Sequence, residues 1–366
     1  MSEPVQVGDL GDESGGSVWT RQRLRKVFAL LVLIAIGIAA ARSDIDMLEA
    51  LERMRTSNVW MLAGMIGVFI ATRWFNGEVL RQSLSVLGHH IEKSEAFYIT
   101  IVRTYGGLVV PKGGYGAAGV YLKMKHGVDF AKSGSLLMPL MLLQFAAIGP
   151  LGVAALLLLR SQYGVPIDGW WATCFCLVTA LGVSVFLLRT SVPAAWDGKV
   201  GNFLRRVGQA WQQIRGDGKL VARLLTLHVL LIFLRALRLQ LALYAVVQDV
   251  PFLPVLVASL LADIVFFISP TPNGLGTREW IICFFFATLP LMDPVIDDTR
   301  VASAVGLDRI VTTLLVIIFA QIGLVRVAPP EEADNGAKPS RPSAADASSA
   351  QPTPAGQASD STPAAR

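Results

Sequence analysis

The sequence predicts an all-α polytopic membrane protein with about six full spans and two Gly/Pro-broken re-entrant hairpins in an inverted repeat. Three observations carry that expectation. Apolar residues make up 53% of the 366 and charged residues only 16%, against about 25% in ordinary globular chains. Runs at 136–159, 170–188, 224–247 and 310–325 approach or exceed the roughly 20 residues that carry a helix across a bilayer. Two further apolar stretches are interrupted by proline and glycine. In hydrocarbon such backbone survives only where it is buried in protein or lines a cavity.

Taken in order, residues 1–26 form a basic N-terminal segment, largely disordered, ending in Arg21, Arg23, Arg25 and Lys26. The apolar stretch 27–41 behind these bases has the form of a signal peptide, but the chain keeps re-entering the membrane, which favours a retained anchor. The membrane domain spans 27–327, with full spans at 27–41, 59–74, 136–159, 170–188, 224–247 and 301–325. The ambiguous pieces 96–121 and 252–291 lie between them, each holding one break. The linker 196–223 sets Trp196, Phe203, Leu204, Val207, Trp211 and Ile214 among bases. It reads either as an amphipathic helix on an anionic leaflet or as a solvated loop. Residues 328–366 are Ala/Pro/Ser-rich and lack the apolar surface to offset ordering, so a disordered cytoplasmic tail is expected.

Orientation follows from lysine and arginine. Bases crowd before the first span, at Arg73, Arg81 and Lys93, at Lys123, Lys125 and Lys132, from Arg189 to Arg223, and at Arg326. The alternate loops are mixed or acidic, so both termini are placed in the cytoplasm. The piece 96–121 then has cytoplasmic flanks on both sides and 252–291 has outside flanks. Span, broken hairpin, span thus occurs twice with opposite sense, the arrangement that builds many transporter sites.

The first break holds Pro111, Gly113, Gly114 and Gly116; the second holds Pro270, Pro272, Asn273, Gly274 and Gly276. Charges inside spans are costly and mark functional positions. Lys112, Arg235, Arg238, Arg278, Glu279 and Arg309 are the candidate substrate-binding residues, with Arg103, Asp263 and Asp308 as further intramembrane charges. Arg235 and Arg238 stand three apart and share a helix face, where two guanidiniums could clasp a phosphate through bidentate forks. The competing reading pairs them with Asp263 or Glu279 in a structural network. Lys112 and Arg278 either meet an anion at a helix start or anchor the hairpin tips, and Arg278 and Glu279 could neutralise each other. Thr271 and Asn273 are expected to stabilise the turn. His89, His90 and His126 read as solvated, and His228 as a span histidine without an evident partner.

Other chemistry finds little footing. Cys174, Cys176 and Cys283 sit in apolar runs and lack metal-ligand spacing, so they read as small core residues, with no metal site and no cofactor. The net charge of +5 comes from bases beside the spans, which points away from nucleic acid. No nucleophile–base pair, carboxylate pair or phosphate loop stands outside the membrane runs, so an enzyme is not expected.

Residues 269–279 contain Pro270-Thr-Pro-Asn-Gly274-Leu-Gly276-Thr-Arg-Glu279. This resembles the Pro-x-x-x-Gly-x-Gly-x-x-Glu signature of the flippase-like family that includes the membrane domain of lysylphosphatidylglycerol synthases. Pro111-Lys-Gly-Gly-Tyr-Gly116 resembles the family's early Pro/Gly-rich segment, and Arg309 with Gly323 its last span. The chain departs from it at 116–120, where Gly-Ala-Ala-Gly-Val replaces a Gly-Glu with a following Arg, and at Gln144, in a run where a Glu-Arg pair is common. The resemblance implies a protein of the bacterial inner membrane that moves or presents lipids, among them aminoacylated, polyprenyl-linked or hopanoid lipids. The expected ligand is an anionic or phosphate-linked membrane lipid. Two alternatives stand beside it. One is a scaffold that binds a glycosyltransferase or lipid-modifying protein partner through the linker or tail. The other is an ion-coupled solute transporter with Asp263, Glu279 and Asp308 as coupling sites.

Overall fold

The computed structural model describes residues 58–109, 113–128, 130–164, 169–187, 199–246, 250–269, 271–289 and 298–327. The expected first span at 27–41, the tail at 328–366, and Pro111, Lys112 and Pro270 lie outside the described residues. Among those described, every regular element is helical. They are α1 (Val59–Val86), α2 (Lys93–Val109), α3 (Gly113–His126), α4 (Phe130–Tyr163), α5 (Gly169–Leu187), α6 (Lys199–Gly216), α7 (Gly218–Val246) and α8 (Phe252–Ile268). A 3-10 turn (Pro272–Gly274), α9 (Thr277–Ala287) and α10 (Asp298–Val327) complete the order.

Local chemistry sets several boundaries. The Asn58 side chain accepts from Trp60 N at 3.0 Å and starts α1. That helix runs past Trp74, the expected end of the span, and closes at Gly88, whose φ of +80° turns the chain while His89 N reaches back to Leu84 O. Asp217 accepts from Lys219 N and Leu220 N, which separates α6 from α7. Pro139 and Pro150 sit inside α4. They are tolerated there because neighbouring helices and local adjustment serve the freed carbonyls.

Among the described residues four helices are long and apolar enough to cross a membrane: α1, α7, and the stretches Gly134–Tyr163 of α4 and Arg300–Gly323 of α10. They are the framing helices of the two expected repeats. Between them, α3 and α9 rise only about 21 and 16 Å at 1.5 Å per residue, short of a roughly 30 Å hydrocarbon core. Each therefore belongs to a hairpin: α2 packs on α3, and α8 on α9.

Matching α1–α4 with α7–α10 maps contact onto contact. The α1–α2 pair answers α7–α8, α3–α4 answers α9–α10, α2–α10 answers α8–α4, and α1–α10 answers α7–α4, while α1 packs against its own counterpart α7. That last pair is antiparallel. Gly64 approaches Leu241 at one end, and Leu84 shares a core with Leu224 at the other. The two units thus run in opposite senses, as the loop charges imply.

The helix α5 has no counterpart and lies antiparallel along α4. Added methyl groups at Gly149 and Gly182 would strike the backbone of Thr179 and Ala146, so the absence of side chains brings these two backbones together. The linker helix α6 is present as expected, but Trp211 and Ile214 are buried in a core shared with α1, α4 and α7. Its apolar side rests on protein at these positions. Outside the spans, Glu95 at the base of the first hairpin accepts from Tyr121 Oη, from Lys125 Nζ at 2.9 Å and from His126 Nε2 at 2.8 Å. His126, expected to be solvated, is a clamp between α2 and α3.

The first-break glycines separate into two kinds. Gly113, Gly114 and Gly116 all lie in the first turn of α3. A methyl group on Gly114 would strike the carbonyl of Arg103, whereas one on Gly116 meets nothing within 4 Å. Gly114→Ala should therefore cost about 1–3 kcal/mol by forcing the hairpin open. Gly116→Ala should be neutral or stabilise by about 0.5–1 kcal/mol. Melting temperatures of the two variants in detergent check this, and equal values would contradict the packing.

Candidate functional site

The second break folds around hydroxyls and positive φ angles. Asn273, Gly274 and Gly276 have φ of 49°, 70° and 79°. Ser269 Oγ bonds Thr271 Oγ1 at 2.7 Å and accepts from Thr277 Oγ1 at 2.7 Å, while Thr271 N also donates to it. Glu279 Oε2 accepts from Gly276 N at 2.8 Å, placing a carboxylate at the start of α9 where the helix dipole favours it. The first hairpin meets this turn. Helix α2 packs on Pro272–Gly274, and a side chain at Gly107 would begin 3.9 Å from Asn273 Oδ1.

Where the hairpins converge lies a cavity of about 530 Å³. Six arginines line it: Arg73 from α1, Arg103 from α2, Arg235 and Arg238 from α7, Arg278 from α9 and Arg309 from α10. Asp263 is the one carboxylate among the described lining residues, and Leu137, Met138, Met141, Phe266 and Phe267 provide an apolar wall. Asn76, Thr104, Tyr115, Gln144 and Ser269 supply neutral polar groups.

Most of the cations are partnered. Arg235 Nη1 lies 2.6 Å from Asp263 Oδ2. Arg238 grips Asp308 with Nε at 2.6 Å and Nη2 at 3.3 Å, with side chains only 6% and 2% exposed. Arg278 shares the same carboxylate at 3.6 Å. Arg309 donates to Asn273 O at 3.1 Å and stands 3.5 Å from Glu279, an ion pair too long to be a hydrogen bond. Arg278 and Glu279, adjacent in sequence, thus reach different partners on α10. Arg73 and Arg103 stand apart. Arg73 donates to Thr104 Oγ1 at 2.7 Å and lies over Phe69, and Arg103 lies over Tyr115.

Of the residues singled out in the sequence, the structure brings Arg235, Arg238, Arg278 and Arg309 together on one cavity, with Asn273, Gly274 and Gly114. Glu279 is held in the α9 cap beside it. Lys112 lies outside the described residues. Arg73, Asn76, Thr104 and Tyr115 were not foreseen. Arg73 counted as a loop base because the span was ended at Trp74, whereas α1 continues for three more turns. The signal was present in Glu78 and Arg81, which sit three apart and pair as helix neighbours do. His228 lies away from the site and donates Nδ1–H to Leu224 O at 2.8 Å.

A family model described as the lysylphosphatidylglycerol synthase TM region matches residues 26–320, most of the chain. The chain belongs to that family. No curated protein matches the sequence.

The α7–α10 pair yields a sharp expectation. Asp308→Ala leaves Arg238 and Arg278 uncompensated and should cost about 3–5 kcal/mol, while Arg238→Met combined with Asp308→Leu, which still leaves Arg278 without its carboxylate, should restore part of the loss. Unfolding of the three proteins in detergent measures this. A double variant as unstable as the single one would contradict the ion-pair account.

Proposed function

We propose that this member of the lysylphosphatidylglycerol synthase TM region family translocates a lipid across the bacterial inner membrane, with both termini cytoplasmic. The lipid is an anionic phospholipid or a phosphate-linked lipid carrier. One observation carries the reading: a cavity between two re-entrant tips combines six arginines with a wall of Leu, Met and Phe side chains. A lipid has that same division, a phosphate at one end and hydrocarbon at the other. A volume of about 530 Å³ accommodates a headgroup rather than whole acyl chains.

The paired break geometry supports movement in addition to binding. Inverted halves that enclose a site at their junction can expose it alternately to the two sides. Trp60 and Trp170, exposed at the starts of α1 and α5, fit an interface belt on one side of the bilayer. The protein is read as a non-enzymatic one; among the described residues Asp263, Asp308 and Glu279 are each engaged by arginine. A scaffold role draws less support, because α6 spends Trp211 and Ile214 on its own core.

The test is a translocation assay in proteoliposomes with fluorescent phosphatidylglycerol and an impermeant quencher. Gly107→Phe places a ring between the tips without removing any charge. Wild type should move lipid well above protein-free vesicles, and the Phe variant should fall to the protein-free rate while keeping its melting temperature. Equal rates in all three preparations would sink the proposal.

A further inference from the structure

Six arginines and three carboxylates do not balance. Asp263 is taken by Arg235, Asp308 by Arg238 and Arg278, and Glu279 by Arg309. Among the described residues Arg73 and Arg103 have no carboxylate partner, only a hydroxyl and two aromatic faces. Nε of Arg73 is buried and makes no hydrogen bond. Arg103, Arg235 and Arg238 line the same cavity as Arg73, and each adds a positive charge to its surroundings. A charge cluster of one sign in low dielectric is costly unless a ligand of the other sign neutralises it.

Both side chains are nevertheless aimed. Thr104 donates to Thr100 O at 2.8 Å, which fixes the lone pair that receives Arg73 Nη1. Phe69 is fully buried, and its ring centre lies 5.0 Å from the Arg73 guanidinium carbon. Tyr115, next to the close α2–α3 crossing at Gly114, places its ring centre 5.4 Å from the Arg103 guanidinium carbon. Two guanidiniums are thus oriented without a carboxylate partner among the described residues, which is the arrangement a bidentate anion site requires.

We propose that Arg73 and Arg103, positioned by Thr104, Phe69 and Tyr115, form a phosphate subsite on the α1–α2 wall of the cavity, and that the cavity selects lipids of net negative charge. Rejection of ammonium headgroups follows from the same ledger. Each of the three carboxylates that could receive an ammonium already holds a guanidinium, and the uncompensated arginines repel it. This deepens the lipid-translocation reading and rests on it for the source of the phosphate. The shared chemistry, a phosphate anion, also belongs to free phosphate, and the experiment separates the two.

Delipidated protein in neutral detergent is titrated calorimetrically with dioctanoyl phosphatidylglycerol, dioctanoyl phosphatidylethanolamine and inorganic phosphate. The variants are Arg73→Gln and Arg103→Gln, which orphan no carboxylate, Arg73→Lys, which keeps the charge and loses the fork, and Arg160→Gln as an exposed control. Wild type should bind the glycerol lipid at least about tenfold more tightly than the ethanolamine lipid. Each Gln variant should weaken the glycerol lipid about tenfold or more, the scale of one charge-assisted contact. Arg73→Lys should recover only part, and Arg160→Gln should match wild type. Equal binding of the two lipids by wild type overturns the proposal without any variant, and so does undiminished binding in both Gln variants. Inorganic phosphate that binds as tightly as the glycerol lipid, and is lost in Arg73→Gln, would replace the lipid source with free phosphate and overturn the lipid assignment. Charge-selective binding without lipid movement would sink the translocation reading alone. Movement without charge selectivity would sink this subsite alone.

Discussion

Hydrocarbon offers no partner to an amide or a guanidinium, and the architecture follows from that constraint. A re-entrant hairpin must therefore find partners for its turn within the protein. The second does so with the hydroxyls of Ser269, Thr271 and Thr277 and with the carboxylate of Glu279. Its exposed carbonyl at Asn273 is met by Arg309 from α10. The first hairpin closes by bringing Gly114 against the backbone of Arg103 and then rests on the second turn near Gly107. Neither hairpin is self-sufficient, because each supplies part of the other's surroundings.

The same constraint divides the arginines into two classes. Those of α7, α9 and α10 are tied to carboxylates and hold helices together, most tightly at Arg238 and Asp308. The contact between α7 and α10 is also where the two halves differ, since the equivalent α1 and α4 make no comparable interface. Arg73 and Arg103 belong to the other half and are held by a hydroxyl and by aromatic rings. The cavity is therefore asymmetric, with one wall braced by ion pairs and the other left cationic. An asymmetric charge distribution within a near-symmetric frame gives a ligand one preferred way round.

Much of the fold was legible before coordinates. The framing spans at 136–159, 224–247 and 301–325 coincide with α4, α7 and α10, because a helix that long and apolar has no alternative to crossing. The opposed sense of the two halves was readable from lysine and arginine, since asymmetric loop charge orients membrane segments. The breaks around Asn273, Gly274 and Gly276 were readable because only a few residue types accept positive φ. The end of α1 was misplaced, because polar residues such as Arg73, Asn76 and Arg81 resemble a loop when their burial is unknown. Gly114 and Gly116 looked alike, although a methyl group on Gly114 would strike another backbone and one on Gly116 would meet nothing within 4 Å.

By itself the sequence determined a multispanning helical protein with two interrupted hairpins and a stock of intramembrane arginines. Those features follow from local composition, from the length of apolar runs and from backbone propensity. Only the tertiary structure decided which arginine meets which carboxylate. Arg278 and Glu279, adjacent in the chain, part company toward Asp308 and Arg309, and Arg73 is left facing a cavity. Pairing depends on distances of a few ångströms between helices far apart in sequence, which no one-dimensional pattern contains, since Coulomb energy and desolvation are properties of the packed arrangement.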